Sequence, residues 1–74
     1  MELTKQEKIN IVNEHLKNAV ISIYNINMLI IQESAIEPIN TDSLSALELR
    51  LSNAFLIKKS LQDELTSLNN QVGG

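Results

Sequence analysis

The sequence predicts an all-α fold: an antiparallel two-helix hairpin, coiled-coil-like, that assembles into a helical bundle. Three observations predict it. Apolar residues recur at alternating steps of three and four in two long runs. Pro38, Gly73 and Gly74 are the only strong helix breakers, and they lie in the middle and at the end. A β protein would need turn residues far more often. The expected organisation is one hairpin over 1–74, with a helix over 5–35, a turn over 37–41 and a helix over 42–70.

The first helix opens at Leu3-Thr4-Lys5-Gln6-Glu7. Thr4 can cap the free N–H groups, and Glu7 stands at capping-box distance. Lys8 occupies the position where a hydrophobic staple would want an apolar residue, so the staple is incomplete. From there Ile9, Val12, Leu16, Ala19, Ile23, Ile26 and Ile30 form a heptad seam without a polar break.

Glu37-Pro38-Ile39-Asn40 ends that helix. Proline cannot donate a helix hydrogen bond, and it disfavours helical geometry at Glu37. Asn40, Thr41 and Asp42 are all good capping types, so the second helix starts within a residue or two of them. Ser45 and Glu48 also have capping-box spacing and offer a later start.

The second seam runs Leu44, Leu47, Leu51, Ala54, Lys58, Leu61, Leu65, Leu68 and Val72. Lys58 alone interrupts it. Asn69, Asn70 and the two glycines mark its end. Folding the chain antiparallel at Pro38 sets Ile9 against Leu68 and Val12 against Leu65. Leu16 meets Leu61, Ala19 meets Lys58, Ile23 meets Ala54, Ile26 meets Leu51 and Ile30 meets Leu47. Small Ala19 leaves room for the Lys58 stem to lie along the seam with its ammonium in water.

Size makes this hairpin a poor candidate for independence. A chain of 74 residues buries only roughly 60% of its unfolded surface. Small chains usually add disulfides, a metal or association. There is no cysteine, and His15 is the only histidine. Association is the support that remains, and no cofactor or metal is expected.

Apolar residues also lie off the seam. No charge occurs from Asn18 to Gln32, or from Leu51 to Ile57. The register brings these two stretches side by side. The expected interface is Val20, Ile21, Tyr24, Asn27, Met28 and Ile31 on the first helix with Phe55, Leu56 and Ile57 on the second. Surplus of this kind marks a contact surface. The expected partner is the chain itself, as a dimer forming a four-helix bundle or as a trimer or higher ring, with a second protein as a further partner. Tyr24 and Phe55 fall at nearly the same level, and either touch or both serve as interface anchors. Asn27 has two readings that stay open: a buried amide that fixes register, or a rim amide bonded to water.

Several function classes are disfavoured. Net charge is −3, whereas nucleic-acid binding needs clustered Lys and Arg. Lys58-Lys59 is the only adjacent basic pair, and a solvated face explains it. The most apolar stretch, Ala19 to Ile31, is 13 residues long and holds Ser22, Asn25 and Asn27, so no membrane span is expected. The N-terminal residues lack the apolar core of a secretion signal, which points to a cytoplasmic protein. His15 has no partner for catalysis, and Glu33 with Glu37 lacks the Glu-x-x-His pairs of di-metal bundles. Glu14 with Lys17 and Glu2 with Lys5 are expected surface pairs. No phosphate loop or nucleophile elbow occurs, so neither an enzyme nor a small-molecule substrate is expected.

The opening Leu3-Thr4-Lys5-Gln6-Glu7-Lys8-Ile9, followed by Ile11-Val12-Asn13-Glu14-His15-Leu16-Lys17-Asn18 and then Tyr24, resembles the start of small helical-hairpin proteins of marine tailed phages. The resemblance covers roughly the first half. It implies a phage protein located in the host cytoplasm or the virion, and it brings no catalytic residues. The function expected is that of a non-enzymatic structural or assembly protein acting by helix–helix self-association. The alternative is a small adaptor or inhibitor that offers its apolar helix face to a host protein.

Overall fold

Two helices account for nearly all of the structure. The computed structural model describes residues 2–71. Helix α1 spans Lys5–Ala35 and α2 spans Thr41–Asn69. The second helix begins and ends one residue earlier than expected, within the usual latitude of helix ends. The Val72 layer and the terminal glycines lie outside the described residues.

Capping chemistry sets the starts. Thr4 is extended, its Oγ1 accepts from the Glu7 N–H at 3.1 Å, and its own N–H donates to Glu7 Oε1 at 3.0 Å. That is the complete capping box. Asn40 caps α2, accepting from the Ser43 N–H at 3.1 Å. The helix therefore starts here and not at the later Ser45–Glu48 pair. Between the helices Ile36 turns extended, its N–H donates to the Glu33 carbonyl, and the Glu37–Pro38 peptide is cis.

The helices lie antiparallel and form an all-α hairpin of 58 × 18 × 14 Å. Its thinnest dimension is close to the diameter of one helix. The molecule is thus a single layer, and each helix can bury only the stripe that faces the other.

Burial follows that stripe. Val12, Ala19 and Ile26 on α1 are buried, seven residues apart. So are Leu47, Ala54 and Leu68 on α2, with half-buried Leu61 in the same series. The remaining seam residues, Ile9, Leu16, Ile23 and Ile30 with Leu44, Leu51, Lys58 and Leu65, are half-buried. In the expected register every layer from Ile9–Leu68 to Ile30–Leu47, except Leu16–Leu61, joins one buried residue to one half-buried residue. Two contacts bracket that register. At the open end Lys5 Nζ donates to the Gln71 carbonyl at 3.2 Å. At the turn end Leu29 and Arg50, then Ile36 and Ser43, line one groove.

Two surface details differ from expectation. Among the described residues Glu2–Lys5 and Glu14–Lys17 form no ion pair; the pair present is Lys59–Asp63, at 3.1 Å. Lys5 continues the seam series, so its ammonium reaches α2 and not Glu2. Exposed pairs contribute so little that helix geometry decides which of them form.

Ile23→Asp places a charge in the seam against Ala54. It should cost roughly 3 kcal/mol and abolish folding or assembly, whereas Glu14→Gln should stay within about 0.5 kcal/mol. Circular dichroism melts of the two variants check this, and unchanged helicity in Ile23→Asp would refute the seam.

The capping box also has a pH signature. The Thr4 backbone N–H, and then the Thr4 hydroxyl, hold the Glu7 carboxyl below its ordinary value. A lowered folded-state pKa stabilises the fold above the unfolded-state value, and that contribution is lost as pH falls through the folded value. Acid titration of helicity should therefore show a component in the wild type that is missing in Glu7→Gln.

Candidate functional surface

A hairpin one layer thick leaves most of its perimeter uncovered, so the surface is where function must be sought. Among the described residues no three His, Cys, Asp or Glu side chains lie together as a metal-holding group. No helix is long and apolar enough to cross a membrane.

Large apolar side chains occupy much of that surface. Among the described residues, nine of the thirteen exposed large hydrophobics lie in one belt: Val20, Ile21, Tyr24, Leu29 and Ile31 on α1, with Leu49, Phe55, Leu56 and Ile57 on α2. In the register these residues share a length of roughly 18 Å along the rod, by helical rise. Among the described residues the open end beyond it contributes Leu3 and Ile11. Apart from Leu49, which stands between Glu48 and Arg50, the belt falls within the two charge-free stretches of sequence.

The heptad repeat distributes the expected interface residues around the rod. One flank is identified by the groove, of about 380 Å³, that holds Leu29, Ile36, Ser43 and Arg50. Each of these precedes a seam-series position. Ile57, which precedes Lys58, belongs on the same flank by periodicity. Residues that follow a buried seam position lie on the opposite flank: Val20 after Ala19, Asn27 after Ile26, Phe55 after Ala54. Tyr24 and Ile31 continue that flank outward. Ile21, Met28 and Leu56 sit on the backs of the helices.

The nine expected interface residues thus do not form a single face. Val20, Tyr24, Asn27, Ile31 and Phe55 come together on one flank, and Ile57 is placed away from them. Tyr24 is 63% exposed and Phe55 50%, so the aromatics share a flank and a level while remaining largely in solvent. Asn27 and Met28 are half-buried. Asn27 forms no side-chain hydrogen bond among the described residues. His15 is exposed. The groove flank was missed by reading apolar residues alone, because it mixes Leu29 and Ile36 with Gln32, Glu33 and Arg50. Only the pairing of positions just before seam residues would have found it.

Charge is sorted along the rod as well. Between Lys17 and Arg50 there is no basic residue, while Glu33, Glu37, Asp42 and Glu48 are acidic. The turn end is therefore negative. On the other side of the belt Lys17, Lys58 and Lys59 form a basic collar, bordered one turn further out by Glu14, Asp63 and Glu64, with Lys59 tied to Asp63.

Area gives a scale for the surplus. A globular monomer of 8.3 kDa would expose about 4,600 Å². This chain exposes 5648 Å². The difference, about 1,000 Å², exceeds the roughly 800 Å² that each partner contributes to a standard protein interface. No protein-family model, curated protein or solved structure matches the chain.

Proposed function

We propose that this is a non-enzymatic structural or assembly protein that acts through helix–helix self-association. The belt of exposed Ile, Leu, Val, Tyr and Phe on a one-layer hairpin carries the reading. Burying such side chains stabilises association by about 25 cal/mol per Å² before the entropic cost of joining two bodies is subtracted. Covering the flank of Val20, Tyr24, Asn27, Ile31 and Phe55 with a second hairpin gives a four-helix bundle, the simplest closed arrangement for such a hairpin. The likeness of the first half to small phage proteins supports a virion as the setting, and mass spectrometry of purified particles tests that setting.

Equilibrium sedimentation over a wide range of concentration tests the association. A dimer or larger closed assembly is expected. Tyr24→Ser combined with Ile31→Ser should raise the concentration needed for assembly by at least about tenfold, since two apolar anchors are lost. A helical monomer at every concentration, binding no apolar dye, would contradict the proposal. A monomer that does bind such dyes would favour the alternative adaptor, whose apolar face waits for a host protein.

A further inference from the structure

We propose that the partner is a second copy of this chain lying antiparallel to the first, α1 against α1, about a twofold axis passing between Tyr24 and Asn27. The inference rests on the self-association proposed above and adds its geometry. The flank opposite the groove carries Val20, Tyr24, Asn27 and Ile31 at steps of four, three and four. That sequence of steps reads the same from either end. An antiparallel copy therefore sets Val20 against the partner's Ile31 and Tyr24 against the partner's Asn27, with all four positions in register.

The chemistry of the pairs fits. Val20 and Ile31 are 49% and 60% exposed in the hairpin and apolar, so each covers the other. The Tyr24 hydroxyl and the Asn27 amide are polar groups that can satisfy one another at the centre of the contact. A polar pair at the axis fixes register in the way a single asparagine does in coiled coils.

Charge decides the direction. A parallel copy would lay the acidic turn ends, with Glu33, Glu37, Asp42 and Glu48, on one another, and Lys17 on Lys17. The antiparallel copy places Lys17 beside the partner's Ser34, within one turn of the partner's Glu33 and Glu37. Lys58 and Lys59 lie at nearly the same level as Lys17, with Lys59 paired to Asp63, and they face the same acidic end; the one like-charge meeting on α1 is Glu14 with the partner's Glu37, against four acids stacked on four in the parallel copy. Like charges brought together disfavour the first arrangement, and complementary ones favour the second. The rod exposes about 1,000 Å² more than a globular chain of its mass, more than one partner's share of a standard interface.

The chain contains no cysteine, so single thiols report the geometry cleanly. Val20→Cys and Ile31→Cys are each oxidised alone and as an equimolar mixture, with sedimentation run on the same reduced samples. The antiparallel pairing predicts a disulfide-linked heterodimer in the mixture and little linkage in either variant alone. Two Val20→Cys thiols would lie about eleven residues apart along the bundle, roughly 16 Å, which is beyond disulfide reach. Linkage of each variant with itself would show parallel copies and overturn the inference. Dimers that sediment as such but show no linkage in the mixture would overturn this pairing and leave self-association standing. Monomers throughout would remove both.

Discussion

One constraint governs the molecule: a hairpin of two helices is a single layer, and a single layer buries one stripe per helix. The sequence supplies that stripe from Ile9 to Ile30 on α1 and, broken by Lys58 alone, from Leu44 to Leu68 on α2. Yet the most buried side chains, Leu68 at 3% exposure and Ile26 at 6%, belong to a set of six. Among the described residues no side chain is sealed off in the way the interior of a larger domain requires. The sequence has no cysteine for a disulfide, and among the described residues no three His, Cys, Asp or Glu side chains lie together to hold a metal.

The belt follows from the same constraint. Side chains such as Leu56, 61% exposed, and Ile31, 60% exposed, have no second layer to enter. Their concentration in the turn-proximal half, and the sorting of acids and lysines to either side of it, divide the rod into an acidic end, an apolar waist and a basic collar. In the association proposed above, the apolar waist would supply the drive and the charges would set the orientation.

Much of the fold was legible in the sequence because its signals are local or strictly periodic. Thr4 with Glu7 and Asn40 with Ser43 are chemistry within one helical turn. The heptad spacing fixed both seams, and Pro38 fixed the point about which they fold. The surface was less legible. An exposed apolar residue announces surplus, but which flank it occupies depends on its phase relative to the seam, so Ile57 separates from Val20 and Phe55. Contacts such as Lys5 to the Gln71 carbonyl were invisible, since a free carbonyl at a helix end leaves no mark in the side-chain pattern. Among exposed charges the sequence offered several near-equal pairings, and only Lys59–Asp63 formed among the described residues.

The central claim is that one seam is too little to hold this chain folded by itself. Thermal unfolding followed by circular dichroism over a hundredfold range of protein concentration tests it most directly. If folding draws on association, the midpoint must rise with concentration, because mass action then favours the native state. Superimposable melting curves with a high midpoint at every dilution would show that the lone hairpin is sufficient, and would contradict the account.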